Sequence, residues 1–445
     1  MQRRQFLTQA SQAAAVLALP TLVPASVLGK QAPSNRITVA LIGTGRQLMG
    51  VNLPQLLALP DVQVVAVCDV DSWRMNGAKQ AVEAHYAQLT KSGQYKGCLA
   101  VSDFRELLQR RDIDAVMVST PDHWHVPMGV MAARAGKHLC IEKPLSLSVA
   151  QGRLLTQVVE KQRIIARVDS EFRSLRPYNQ AVEWVRNGAI GTLKKIEIGL
   201  PSDPEPVRVV PDMPVPKELN YEAWLGPALV VPYTEARVHK PFDVKGRPGW
   251  MRISTYAQGM IANWGAHLFD IAQWANNSEY TGPVEVEGKG KFPRGLWDTM
   301  INFTVRYRYA NGVEMTAQQQ PDYHPFIRFE GTEGWLLLDG YPPKVSASNQ
   351  ALLARQPKAG ELNLGGTLGD KADFIEGIKN NRQTLEPIEV GHRTITISQL
   401  GLIACQVGEK LNWNPEKEQF TGNNAANALL AAPLLREPWR INEKV

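Results

Sequence analysis

The run Arg36-Ile37-Thr38-Val39-Ala40-Leu41-Ile42, stopped by Gly43-Thr44-Gly45, decides how this chain is read. Unbroken apolar, β-branched character over so few residues predicts a strand buried on both faces of a parallel sheet. Residues 48–59 are helix-compatible, with Pro54 either kinking the helix or marking its first turn. A second strand over residues 62–68 ends at Asp69. Strand, glycine turn, helix, strand, acid is the order of a dinucleotide-binding unit. In it Gly43 allows the tight turn, and Gly45, flanked by Thr44 and Arg46, brings backbone N–H groups to a pyrophosphate at the helix start. Asp69 accepts from the adenine-ribose hydroxyls. The third glycine of the pattern is missing: Leu48 stands there and Gly50 follows, so the helix packs differently or the motif is offset. An acid at the second strand end favours NAD, while Arg74 nearby keeps NADP open.

Working outward, residues 75–100 read as helix and loop, and 103–110 as another helix. The strand 115–119 then runs into Thr120-Pro121-Asp122-His123-Trp124-His125. Two histidines at i and i+2, with no further ligands at zinc spacing, do not make a metal site. Ser119, Thr120, Pro121, His123 and His125 are expected to line the cofactor pocket, because this loop leaves a strand on the ligand side of the sheet. A helix over 130–135, ended by Gly136, precedes Lys137-His138-Leu139-Cys140-Ile141-Glu142-Lys143-Pro144. This last strand ends in a charged pair, which puts Glu142 and Lys143 at the sheet rim.

A chain of 445 residues, 44% hydrophobic and 21% charged, has room for more than one well-buried domain. Half of its net charge of +6 comes from Arg3, Arg4 and Lys30 in an acid-free first 35 residues, so the remainder is too mildly basic to argue for nucleic acid. Residues 1–35 join adjacent arginines to the apolar run 13–20 and resemble a twin-arginine export signal, which predicts a periplasmic or otherwise exported protein. That run is shorter than the roughly 20 residues a membrane-spanning helix needs, so no stable anchor is expected. Cys68, Cys98, Cys140 and Cys405 form neither a disulfide framework nor a zinc pattern.

Ile42-Gly43-Thr44-Gly45, Cys68-Asp69-Val70-Asp71, Thr120-Pro121 with His125, and Glu142-Lys143-Pro144, in this order and at these separations, resemble the Gfo/Idh/MocA family of sugar and cyclitol oxidoreductases, in its larger exported bacterial form. The resemblance implies an α/β Rossmann domain over 36–170, then an α+β domain over 171–445 with an open, mainly antiparallel sheet. That second part would bind substrate and form the contacts of a homodimer or homotetramer. It also implies that Phe172-Arg173-Ser174 brings an arginine into the site, with Arg252 and Tyr256 on the substrate side. Apolar spacing from Asn263-Trp264-Gly265-Ala266-His267 onward predicts a helix that places residues 263 and 267 on one face. The family usually carries Asp-x-x-x-His there; this chain keeps His267 but has Asn263. An amide orients a hydroxyl and cannot take its proton, so the acid/base work falls on Lys143 and His267. Further strands are expected at 164–168, 194–199, 284–290, 300–309, 313–319, 327–330 and 335–338, with helices at 179–187 and 395–410. The proline-bearing stretch 200–250 is expected to form a lid or oligomer contacts.

The reading that follows is an NAD-dependent oxidoreductase passing a hydride between the nicotinamide and a secondary hydroxyl of a sugar, glycoside or cyclitol. Because free dinucleotide is scarce outside the cytoplasm, the nucleotide is expected to be tightly bound. A glycosidase working by transient oxidation and elimination would use the same residues. A non-catalytic, nucleotide-containing sugar-binding protein is the alternative from another class.

Overall fold

The computed structural model describes residues 36–203, 207, 209–365, 368–431 and 435–441. The expected export signal at 1–35 lies outside the described residues. Six strands form the first sheet: β1 (Ile37–Ile42), β2 (Val62–Cys68), β3 (Leu99–Val101), β4 (Ala115–Val118), β5 (His138–Glu142) and β6 (Ala166–Asp169). They are parallel throughout, in the order β3-β2-β1-β4-β5-β6. The order reverses between β1 and β4, which opens a crevice at the carboxyl ends of the strands. Ala40, Ile42, Val116 and Ile141 belong to one apolar core with helices His125–Arg134 and Val149–Gln162. Val39, Leu41, Met117 and Cys140 face a second core. All four cysteines are unpaired.

The helix after the glycine turn begins as a π-turn, Leu48–Asn52, and continues as an α-helix, Leu53–Leu57. Pro54 has no N–H for the carbonyl four residues back, and the ladder shifts register just before it, with Leu53 N donating to Leu48 O. Leu48, fully buried, fills with side chain the place where a third glycine would allow close packing. Strand β3 pairs in parallel with the end of β2, where helix and loop were expected; three residues carry no readable periodicity.

The second sheet has nine strands: β7 (Leu193–Leu200), β8 (Glu285–Lys291), β9 (Ile301–Arg308), β10 (Glu314–Gln319), β11 (Phe326–Gly331), β12 (Trp335–Asp339), β13 (Lys344–Ala347), β14 (Leu411–Asn414) and β15 (Gln419–Thr421). Their order is β13-β12-β11-β7-β10-β9-β8-β14-β15, antiparallel except for β7 beside β10. Phe303, Val305 and Tyr307 of β9 point into a core with helices Arg176–Arg186, Gly265–Ala275 and Ile388–Val407, while Thr304, Arg306 and Arg308 point out.

The chain does not divide in space where it divides in order. Helix Asp370–Asn380 sends Phe374 and Ile375 back into the first domain's core, and helix Ile388–Val407 contributes Ile388 and Ile395 to its other core. Ion pairs fasten the same return: Arg167 to Asp373 at 2.7 Å and Lys371 to Asp169 at 2.5 Å, all four side chains buried or nearly so. The helix expected across residues 263–267 is broken into Met260–Asn263 and Gly265–Ala275, with Trp264 between them.

Candidate active site

A cleft of about 460 Å³ lies at the carboxyl ends of β1, β2, β4 and β5. Its first-domain wall contains Gly43, Gly45, Arg46, Asp69, Arg74, Ser119, Thr120, Pro121, Glu142 and Lys143, and its second-domain wall Arg247, Asn263 and Tyr323. Gly43 has φ +86°, and a Cβ there would come within 2.7 Å of Ser119 O, so glycine is required at this position. At Gly45 the first atom a Cβ would meet is Arg74 Nη1, at 3.6 Å. The turn therefore presents bare backbone toward a guanidinium, a cradle suited to a pyrophosphate. Asp69 fixes that turn: one carboxylate oxygen accepts from Thr44 N (2.6 Å) and Thr44 Oγ1 (2.9 Å), the other from Asp71 N (2.9 Å). Thr44 is fully buried and locks the turn without lining the cleft.

The two histidines of the 120–125 loop are also one layer back. Trp224 O lies 3.2 Å from His123 Nε2, the ring packs against Trp224 and Tyr256, and burial pushes its pKa down to about 3. His125 spans two loops, Nδ1 2.7 Å from Pro144 O and Nε2 2.9 Å from Thr120 O, with burial pushing its pKa down to about 4. It braces the lysine loop against the threonine loop; a cofactor-lining place was expected from sequence because the two residues adjoin ones that do line the cleft.

Lys143 is held from the second domain. Its Nζ donates to the backbone carbonyl of Asn263 at 3.2 Å. At the helix break the His267 amide turns to Trp264 O (3.1 Å), so the Asn263 carbonyl is open to the lysine. Burial lowers the Lys143 pKa, and Arg247 adds to this, while the Glu142, Asp122 and Glu171 carboxylates pull the other way. Burial raises Glu142 to about 8, helped by Asp169 and opposed by Lys143, Lys371 and the 2.8 Å bond from Asn52 Nδ2. The same amide reaches Ser119 Oγ at 3.1 Å. His267 is close enough for the Lys143 charge to add to burial in holding it neutral, yet it does not line the cleft. Its ring stacks on Phe172 at 4.4 Å, and its Nδ1 lies 3.3 Å from Ser170 Oγ.

The three residues assigned to substrate are placed elsewhere. Arg173 is buried against Asp270 (2.7 Å), Glu279 (2.9 Å) and Leu385 O (3.0 Å), with its guanidinium over Trp274. Arg252 pairs with Asp203 at 3.0 Å and lies over Trp297. Tyr256 packs behind His123 and Trp224. None of the three lines the cleft. Arg247, five residues before Arg252, does, from a Gly246-Arg247-Pro248 turn in the stretch expected to form a lid. Glu171, bonded to Tyr341 Oη at 3.1 Å, is a second charged neighbour of Lys143 that the sequence reading passed over.

Residues 37–170 match the family described as an oxidoreductase NAD-binding Rossmann fold, and residues 207–441 its C-terminal alpha/beta domain. The chain belongs to the Gfo/Idh/MocA family. Among curated relatives of this Gfo/Idh/MocA chain, a glycosyl hydrolase family 109 protein of Shewanella pealeana is 31% identical over 41% of this chain and 39% of its own. Another, from Saccharopolyspora erythraea, is 37% identical over 28% of this chain and 27% of its own. The chain thus matches well under half the length of either relative. Solved structures share the fold over more of the chain. Levoglucosan dehydrogenase, in complex with NADH and levoglucosan, has a TM-score of 0.59 at 17% identity, covering 85% of this chain and 99% of that one. The aldose-aldose oxidoreductase of Caulobacter crescentus, complexed with glycerol, gives 0.59 at 16%, covering 85% and 99%.

Proposed function

We propose that this Gfo/Idh/MocA chain is an NAD-dependent oxidoreductase acting on a secondary hydroxyl of a sugar, glycoside or cyclitol, exported by the twin-arginine route with its nucleotide tightly held. The observation that carries the proposal is Lys143, with its lowered pKa, in the same cleft as the bare glycine turn. Gly43, Gly45, Arg46 and Arg74 would hold the pyrophosphate and Asp69 the ribose; bound there, the dinucleotide supplies the hydride acceptor. Lys143, as a neutral amine, takes the hydroxyl proton as the C–H bond breaks, and returns it in the reverse direction. The Asn263 carbonyl and the His125 brace set where that amine stands. His267, neutral and buried behind the cleft wall, adds no positive charge near Lys143.

A glycosidase working by oxidation, elimination, water addition and reduction is the second reading, favoured by the curated relatives named for glycosyl hydrolase family 109. In it the same amine removes the proton from the carbon made acidic by the neighbouring carbonyl. One experiment tests both readings. Natively purified protein is assayed for bound nucleotide by mass spectrometry, then challenged with sugars and chromogenic glycosides while nicotinamide absorbance and aglycone release are followed together. Reduction by free sugars supports the dehydrogenase, and aglycone release without net reduction supports the glycosidase. Nucleotide that no member of the panel reduces or turns over overturns both.

A further inference from the structure

Residues 435–441 cross from the second domain to the first over one end of the cleft. Arg436 anchors the crossing: Nε donates to Gly226 O (3.1 Å) and Ala228 O (3.0 Å), Nη2 to Gly226 O (2.7 Å), and the guanidinium pairs with Glu222. The Arg436 amide adds a bond to Pro227 O at 3.0 Å. Three residues later Trp439 lands on the first domain. Its ring centroid is 4.7 Å from Trp124, edge to face, and 6.4 Å from Phe104 at 27°. Arg105, itself held by Asp103, stands 5.1 Å above the indole.

Trp439, Phe104 and Trp124 line the same cleft as the glycine turn and Lys143. The place of this aromatic group in the cleft follows from the strand order. Lys143 follows β5, whereas Phe104 follows β3 at the far edge, beyond the Asp69 end of β2. In a doubly wound sheet with the pyrophosphate at the β1 turn and the ribose on the β2 acid, the adenine falls toward β3 and the nicotinamide toward β5.

We infer that Trp439 is an adenine-binding residue, carried on a C-terminal strap that Arg436 holds across the adenosine end of the cleft. The assignment rests on a dinucleotide occupying this cleft. It gives a physical basis for tight retention: a purine ring gains an aromatic face there, and nucleotide departure requires the Arg436 contacts to open.

The test uses the full chain and its Trp439→Ala, Trp439→Phe and Arg436→Ala variants. NAD affinity, the exchange rate of bound nucleotide against excess NADH, and thermal midpoint are measured, along with affinity for nicotinamide mononucleotide, which lacks the adenosine half. Trp439→Ala is expected to weaken NAD on the order of tenfold, as loss of one base-stacking partner does, and Trp439→Phe by no more than about threefold. Arg436→Ala is expected to speed nucleotide exchange. Mononucleotide affinity is expected to stay level in all three. If wild type binds NAD and Trp439→Ala binds it within about twofold, or loses both ligands alike at an unchanged midpoint, the assignment is overturned while the oxidoreductase reading stands. Should Trp439→Ala not fold, unchanged exchange in Arg436→Ala overturns it. Wild type that binds no dinucleotide overturns the functional reading first, and this assignment with it.

Discussion

Under the proposed function, the position of the Lys143 amine depends on a backbone atom of residue 263, and that separates two substitutions which look equivalent in the sequence. Lys143→Ala removes the group placed to move the proton, and kcat is expected to fall roughly 10²-fold or more. Asn263→Ala leaves the carbonyl that accepts from Lys143 Nζ, so kcat is expected to fall less than about tenfold, with any larger change in KM. Steady-state kinetics on the substrate found in the panel checks both; comparable kcat losses would mean the amide, not the carbonyl, is what matters at 263. The sequence made Lys143 legible because a charged pair after a buried strand has few other places to go. Which atom of residue 263 it meets was not legible, because it depends on the helix break at Trp264. Arg173 misled for a related reason. An arginine next to the last strand of the first domain can turn either to the cleft or to the core, and the buried Asp270, 97 residues away in sequence, decided for the core.

Among the elements, the glycine turn and its helix show where pattern reading succeeds and where it stops. Strand, turn, strand and acid were readable because each has a local signature, and β1 and β2 lie within a residue of their expected limits. The π-turn was not, because it answers both to Pro54 and to the space Leu48 fills. Its consequence is Asn52, a fully buried amide that binds Glu142 and Ser119 from a position the motif does not mark. Asn52→Leu leaves a buried carboxyl without its donor, a change that costs about 1–3 kcal/mol; a matching drop in denaturant-derived stability is expected. Gly43→Ala is expected to cost at least as much, since the left-handed φ and the 2.7 Å approach to Ser119 O are both violated. Its nucleotide content after purification is expected to fall in parallel. Alanine tolerated at residue 43 with full nucleotide occupancy would show that the turn has another way to close.

Over the whole molecule, the ionisable groups around the cleft set how stability depends on pH, and here local sequence says almost nothing, since burial is decided by the assembled domains. His123 and His125 have folded-state pKa values of about 3 and about 4, below the ordinary value. The stability they contribute is present above about pH 6.5 and lost as pH falls toward 4. Asp122 behaves in the opposite sense. Burial raises it to about 8 against the pull of Lys143, so its contribution is complete below the ordinary carboxylate range and is lost as pH rises toward 8. Between about pH 6.5 and 8 the unfolded chain carries Asp122 ionised and the folded chain carries it protonated, which removes about 2 kcal/mol at 1.36 kcal/mol per pH unit. Asp122→Asn keeps a neutral side chain of similar size and takes that term away. The difference in unfolding free energy between variant and wild type is therefore expected to grow in the variant's favour across this window, and to stay level below pH 4. Lys143 does not cancel in that difference: its lowered pKa tilts stability the other way, and removing the Asp122 charge lowers it further, which adds to the trend in the variant's favour. A difference that does not change with pH would show that Asp122 is ionised in the folded chain, a charged carboxylate in the wall of the cleft it shares with Lys143.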